Sequence, residues 1–182
     1  NAGRIMKETG ASAIKLEGGK EVCPQIRAIT AAGIPVVAHI GMTPQSVNAF
    51  GGFTVQGKGE ANARRVLEDA LAVQEAGAFA VTLECVPPKL SALITKKLDI
   101  ITIGIGASPE CDAQVLVWQD MLGISDFKPK FAKHFAEVGE TMREAFRAYD
   151  GEVKSGVFPA SEHTFVKSDC TEEFLASLDA EY

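Results

Sequence analysis

The chain has 182 residues, 46% hydrophobic and 23% charged, which is the balance of one soluble domain able to bury a sizeable core. A net charge of −6, with nothing clustered to neutralise phosphates, argues against nucleic acid or an anionic membrane surface as the main partner and favours small-molecule chemistry. No apolar run approaches the roughly 20 residues that a bilayer span needs, and no secretory leader is read at the start. The four cysteines, Cys23, Cys85, Cys111 and Cys170, are scattered without a Cys-x-x-Cys pair, so the expectation is reduced thiols in an intracellular compartment. The chain starts at Asn1 rather than at a methionine, and a targeting peptide would be lost with any earlier residues.

Taken in chain order, helical segments end in a glycine and a strand follows. Gly10 precedes a strand at Ser12 to Glu17, Gly33 one at Ile34 to His39, and Gly77 one at Ala78 to Glu84. Each glycine stands where a helix needs a left-handed cap. Amphipathic stretches at Lys20 to Ala32 and Glu60 to Ala76 predict covering helices. In the second, Val66, Leu67, Ala70, Leu71 and Val73 fall at helical spacing, with the charges largely opposite. Pro87 and Pro88 open a helix at Lys89 to Leu98, since proline suits a first turn. A fourth strand is expected at Ile100 to Ile105 and a weaker fifth at Gln114 to Trp118. A long helix is expected from Pro129 to about Val153, with Phe131, Phe135, Val138, Met142, Phe146 and Tyr149 on one side as core or subunit contact. Residues 1–155 then form the body and 156–182 a loose C-terminal tail.

Alternating βα units with buried strands imply an α/β fold with a parallel sheet, either a (β/α)8 barrel or an open doubly wound sheet. Barrels take about 250 residues, so some five strands make little more than half of one. The chain therefore reads as the C-terminal portion of a longer protein.

Three of the strands end in chemistry: Lys15 and Glu17, His39, and Glu84. Parallel sheets meet their ligands at the carboxyl ends of their strands, so these residues define a candidate rim. Each also has an ordinary explanation. A strand-end glutamate is often a solvated cap, Lys15 and Glu17 share a face and can pair with each other, and His39 can be a packed histidine. His134 and His163 read as structural or exposed. After His39 comes a long glycine-rich loop, and Gly52 to Lys58 nearly matches a phosphate-binding loop. Gly59 stands where that motif needs a Ser or Thr, and no strand directly precedes Gly52, which argues against a nucleotide.

The runs Lys15-Leu16-Glu17-Gly18-Gly19, Val37-Ala38-His39-Ile40-Gly41-Met42-Thr43-Pro44-Gln45-Ser46-Val47, Phe50-Gly51-Gly52-Phe53-Thr54-Val55-Gln56-Gly57-Lys58, Leu83-Glu84-Cys85-Val86-Pro87 and Ile103-Gly104-Ile105-Gly106-Ala107 closely resemble ketopantoate hydroxymethyltransferase. The likeness continues through Asp120-Met121-Leu122-Gly123 and Pro129-Lys130-Phe131 to Val157-Phe158-Pro159 and Glu162-His163, in order and with matching spacing. The resemblance implies a magnesium-dependent (β/α)8 TIM-type barrel, here an N-terminally truncated part. It also implies assembly into homo-oligomers, commonly decamers in bacteria, in the cytoplasm or, in a eukaryote, the mitochondrion. The implied reaction carries a one-carbon unit from 5,10-methylenetetrahydrofolate to 3-methyl-2-oxobutanoate, giving 2-dehydropantoate for pantothenate and coenzyme A synthesis. By the same resemblance Glu84 is the proton acceptor, Lys15 holds the keto acid and Glu17 is a carboxylate of the metal site; His39, at a neighbouring strand end, is a further candidate for binding the substrate. Two further metal-site aspartates belong to strands that precede Asn1, so this piece alone is expected to be nearly inactive.

Ser108 and Ala113 depart from the family's usual glycines after Gly106-Ala107, and Ala113 would be strained if its turn required positive φ. Two rival readings are another magnesium-dependent keto-acid enzyme, a carbon–carbon lyase of the isocitrate lyase type, and a non-catalytic fragment lacking the aspartates.

Overall fold

The computed structural model describes residues 1–165 and 170–181; positions 166–169 and 182, part of the expected tail, lie outside the described residues. The chain divides into two compact units, one of residues 1–121 and 127–133, the other of residues 122–126 and 134–182.

The first unit is built on five parallel strands in sequential order: β1 (Ile14–Glu17), β2 (Val36–Gly41), β3 (Ala80–Glu84), β4 (Ile101–Ile105) and β5 (Ala113–Gln114). Helix α1 (Ala2–Thr9) precedes β1, α2 (Cys23–Ala31) joins β1 to β2, α3 (Glu60–Glu75) joins β2 to β3, and α4 (Pro88–Lys97) joins β3 to β4. The expected fold class is found as an α/β unit with an all-parallel sheet, of partial TIM type and not closed into a barrel.

The side chains of the strands explain why the helices gather on one face. Val36, Ala38 and Ile40 of β2 and Val81 and Leu83 of β3 stand at alternate positions, on the face opposite His39, Thr82 and Glu84, and all five are buried. They form one core with Cys23 and Ile26 of α2, Val66, Ala70 and Val73 of α3, and Ile94 of α4. Ile26, Val81, Leu83 and Ile94 are wholly inaccessible to solvent, and each such burial stabilises by about 1.5–3 kcal/mol. Every strand residue in that core belongs to the same side of the sheet. Helices on a single face distinguish a barrel-type arrangement from a doubly wound sheet, which carries helices on both.

The largest departures from expectation follow β4, while earlier elements shift by up to three residues at their ends. The fifth strand shrinks to Ala113–Gln114, and Trp118–Met121 forms a short helix, α5. The long helix begins not at Pro129 but at Val138, running to Ser155 as α6. Phe131 stays in the first unit, where its ring packs so closely against Gly106 that a Cβ there would sit 2.9 Å from it. Phe131 therefore lies outside the helical stripe. Ala113 is extended and exposed, and Cys85 alone among described non-glycine residues has positive φ, so no strain arises at Ala113.

In the second unit, α6 ends in a left-handed Gly156 cap, and Met142, Phe146, Tyr149 and Val153 lie exposed along it at helical spacing. His134 stands 3.0 Å from Glu137, and His163 is exposed beside the Phe158 ring. A last helix, α7 (Glu172–Glu181), occupies part of the segment expected to be loose.

Candidate active site

On the sheet face opposite the helices, register places Lys15 beside Val37, Glu17 beside His39, and His39 beside Thr82, with Glu84 one step further along beside Gly41. The period of two puts all these side chains on one face. Glu17, His39 and Glu84 come together. The His39 ring is 2% exposed, with Nε2 3.0 Å from Glu84 Oε2 and Nδ1 3.8 Å from Glu17 Oε1. The short approach to Glu84 is at ion-pair distance but off the line of a hydrogen bond, so both ring nitrogens lack an aligned protein partner. A buried imidazole flanked by two carboxylates and left with unused hydrogen-bonding capacity is suited to holding a polar ligand.

Each carboxylate is held by backbone. The Gln45 N–H, in the turn Pro44–Ser46 after β2, donates to Glu17 Oε2 at 3.0 Å, leaving Oε1 toward the imidazole. Around Glu84 the main chain is locked on both sides. Met42 N–H donates to the Glu84 carbonyl at 2.9 Å, Cys85 N–H to the Ile105 carbonyl at 2.9 Å, and Gln56 N–H to the Cys85 carbonyl at 2.9 Å. Gly41 makes the first of these possible: a Cβ there would overlap the Glu84 carbonyl oxygen, so no larger residue lets β2 pass so near. Cys85 adopts φ +50°, a strained conformation for a residue with a side chain, directly after the candidate base. Burial, and then the neighbouring Glu84 charge, push the Cys85 thiol up from its ordinary value.

Lys15 is exposed at the start of this face and forms no ion pair with Glu17 among the described residues. The simple salt-bridge explanation for the two residues is therefore absent. No group of three or more His, Cys, Asp or Glu able to hold a metal occurs among the described residues. Glu17 Oε1 is a hard oxygen with its sister oxygen already occupied, and it fits as one carboxylate ligand of a magnesium ion. Magnesium is commonly bound by one or two carboxylates, with substrate and water completing an octahedron.

Sequence reasoning missed three participants. Thr82, 4% exposed, stands beside His39 and two residues before Glu84, where strict alternation would have found it. Gln45 acts through its backbone N–H and Cys85 through its φ, and neither property is written in residue type. The near match to a phosphate loop has a different use, since Gln56 within it ties the loop to Cys85 while Lys58 is exposed.

A sequential parallel sheet helical on one face, with ionisable residues at the carboxyl ends of its strands, places the chain in the (β/α)-barrel class of folds. Residues 1–161 match ketopantoate hydroxymethyltransferase, and the chain belongs to that family. It is 61% identical over 166 residues to the 3-methyl-2-oxobutanoate hydroxymethyltransferase of Clostridium novyi, covering 91% of this chain and 60% of the relative. The protein of the same name from Enterococcus faecalis is 61% identical over 170 residues, covering 93% and 62%, and that from Rhodococcus jostii 60% identical over 166 residues, covering 91% and 57%. The chain thus spans about three fifths of the length of the relatives it matches.

Proposed function

We propose that this chain carries the proton-abstracting part of a ketopantoate hydroxymethyltransferase active site. The reaction transfers a hydroxymethyl group from 5,10-methylenetetrahydrofolate to 3-methyl-2-oxobutanoate, giving 2-dehydropantoate for pantothenate synthesis. The observation that carries the reading is the convergence of Glu17, His39 and Glu84 at adjacent strand ends. In it Glu84 takes the proton from the carbon beside the ketone. The electron pair left behind forms the new carbon–carbon bond to the one-carbon unit, water supplies the hydroxyl group, and tetrahydrofolate departs with its two nitrogens protonated, one proton being that taken by Glu84 and the other coming from the water. Glu84 suits the role because its backbone is locked on both sides while its carboxylate stays 12% exposed, open to substrate. His39 donates to a substrate oxygen, and the exposed Lys15 ammonium meets the substrate carboxylate. Glu17 holds a magnesium ion, which when bound supplies Lewis-acid stabilisation of charge on the ketone oxygen.

With one such carboxylate in hand, the chain by itself is expected to turn over little. The bacterial names of the relatives support a cytoplasmic enzyme, and the exposed apolar side of α6 supports assembly into a homo-oligomer. No described helix is long and apolar enough to cross a membrane. The test is to assay 2-dehydropantoate formation with magnesium, keto acid and 5,10-methylenetetrahydrofolate, with the chain alone and after adding the part of a relative that it does not cover. The expected result is negligible product alone and product on complementation, abolished by Glu84→Gln. Complementation without product, or an undiminished Glu84→Gln, overturns the reading, and appreciable product from the chain alone overturns its expected inactivity.

A further inference from the structure

Helix α3 carries two sets of contacts, and only one of them explains its place in the fold. Val66, Ala70 and Val73 are buried in the core and dock the helix on the sheet. The second set is polar and reaches the turn after β1 and the loop after β2. Asp69 Oδ1 accepts from the Lys20 N–H at 3.0 Å, and Glu68 Oε2 pairs with Lys20 Nζ at 2.6 Å. Arg65 Nη2 donates to Gln56 Oε1 at 3.1 Å. Residues 65, 68 and 69 are one turn apart, so they share one side of the helix.

Each polar tie leads to one carboxylate of the rim. Between Glu17 and Lys20 lie only Gly18, whose N–H donates to the His39 carbonyl at 3.0 Å, and Gly19, whose N–H donates to Glu21 Oε1 at 3.0 Å. A Cβ on Gly19 would overlap the Asp69 carboxyl group, so this turn is shaped around Asp69. Asp69 therefore fixes the backbone that leaves Glu17. On the other side Gln56 is 9% exposed, and its Nε2 donates to Thr54 Oγ1 at 3.0 Å while its N–H donates to the Cys85 carbonyl at 2.9 Å. A residue with a side chain keeps a φ of +50° only where its surroundings over-determine it. For Cys85 two backbone bonds do so, one to Ile105 and one from Gln56. Arg65, by way of Gln56, thus holds the turn that leaves Glu84.

We propose that α3 is a bracket that sets the separation of the two rim carboxylates, with Asp69 positioning Glu17 through the Lys20 turn, and Arg65 with Gln56 positioning Glu84 through Cys85. The step from Arg65 to Asp69 is about 6 Å along the helix axis, fixed by backbone hydrogen bonds rather than by side-chain rotamers. Such rigidity matters because a misplacement of about 1 Å at a reacting group can cost about 10²-fold in rate. Asp69, Arg65 and Gln56 touch no reacting atom and act only through the backbone. The inference rests on the proposed function for the roles of Glu17 and Glu84, and the geometry it concerns is already reported by His39, whose Nδ1 faces Glu17 at 3.8 Å and whose Nε2 faces Glu84 at 3.0 Å.

The test reads the His39 ring by long-range nitrogen–proton NMR of the whole chain, with His134 and His163 of the second unit as internal references. Asp69→Ala is expected to move chiefly the Nδ1 resonance, and Gln56→Ala chiefly the Nε2 resonance. Arg65→Met is expected to act as Gln56→Ala does and to add nothing to it. Asp69→Asn keeps an oxygen for the Lys20 N–H and is expected to leave the ring unchanged. Alanine and methionine are good helix formers, so the melting temperature of the α3 variants is expected to hold. In the complemented enzyme Asp69→Ala is expected to raise the magnesium concentration for half-maximal rate about tenfold, and Gln56→Ala to lower keto-acid C–H exchange about tenfold at an unchanged magnesium requirement. A His39 ring indifferent to Asp69→Ala and Gln56→Ala, equal movement of all three histidines, or an Asp69→Asn as damaging as Asp69→Ala overturns the inference. A working complemented enzyme in which the two variants do not separate overturns it too. Complementation without product, with the His39 responses as expected, supports the bracket and counts against the proposed reaction alone.

Discussion

The two faces of the sheet are made by the same strands and behave oppositely. On one, Val36, Ala38, Ile40, Val81 and Leu83 are sealed under α2, α3 and α4, and their buried polar neighbour Thr102 of β4 is hydrogen-bonded to Thr95 of α4 at 3.0 Å. On the other, residues one position away in sequence are Glu17, His39, Thr82 and Glu84, and the imidazole among them is buried without an aligned hydrogen bond. The first arrangement lowers the free energy of folding. The second is tolerated because the first holds the strands in place, so the chemical face borrows its rigidity from the packed one.

The largest expected effect separates the faces by function. In the complemented enzyme, Glu84→Gln is expected to lower the rate of keto-acid C–H exchange by about 10²–10⁴-fold while the chain's melting temperature hardly moves. Exchange measured by NMR in deuterated water decides it, and a large loss of stability with the loss of rate would erase the distinction between the faces. The mirror experiment is Leu83→Ala, the immediate neighbour turned to the core and fully inaccessible. It is expected to cost about 2–5 kcal/mol by denaturant unfolding, through lost burial and the cavity left behind.

A sharper probe lies where the faces meet. Gly41→Ala puts a methyl group against the Glu84 carbonyl at φ +91°, and is expected to cost about 1–3 kcal/mol and to disturb Glu84 together with Gln45 and its bond to Glu17. Unfolding curves and magnesium titration of the same variant check both parts.

The smallest effect concerns Asp112, whose carboxyl accepts from the Thr102 N–H and hydroxyl at 2.8 Å each. These bonds hold its pKa below the ordinary aspartate value. A lowered folded-state value means the stabilisation is complete above the ordinary value and disappears as pH falls through the lowered one. Because Asp112 is exposed, Asp112→Asn is expected to cost no more than about 0.5–1 kcal/mol near neutrality, and nothing once the pH is below both values. Thermal melts between neutral and acid pH report it.

Much of this was legible before any coordinates. Helical spacing in Glu60 to Ala76 anticipated α3 nearly to the residue, and Gly10, Gly33 and Gly77 do take positive φ at the ends of helices. The failures also have physical causes. The apolar period from Phe131 to Val138 mimics a helix, yet Phe131 is drawn into the first unit against Gly106, and the helix starts only at Val138. The stretch from Gln114 to Trp118 is rich in β-formers, but only Ala113 and Gln114 pair with β4, and Trp118 opens a helix.

Which residues lie at strand ends, and which face they share, was determined by the sequence itself, because the side-chain period of a strand is local and needs no partner. That His39 sits between Glu17 and Glu84, that Gln45 reaches back to Glu17, and that Cys85 turns through positive φ were decided only by tertiary structure. Those features depend on the register of one strand against the next, and register is set by how α2, α3 and α4 pack across the far side of the sheet.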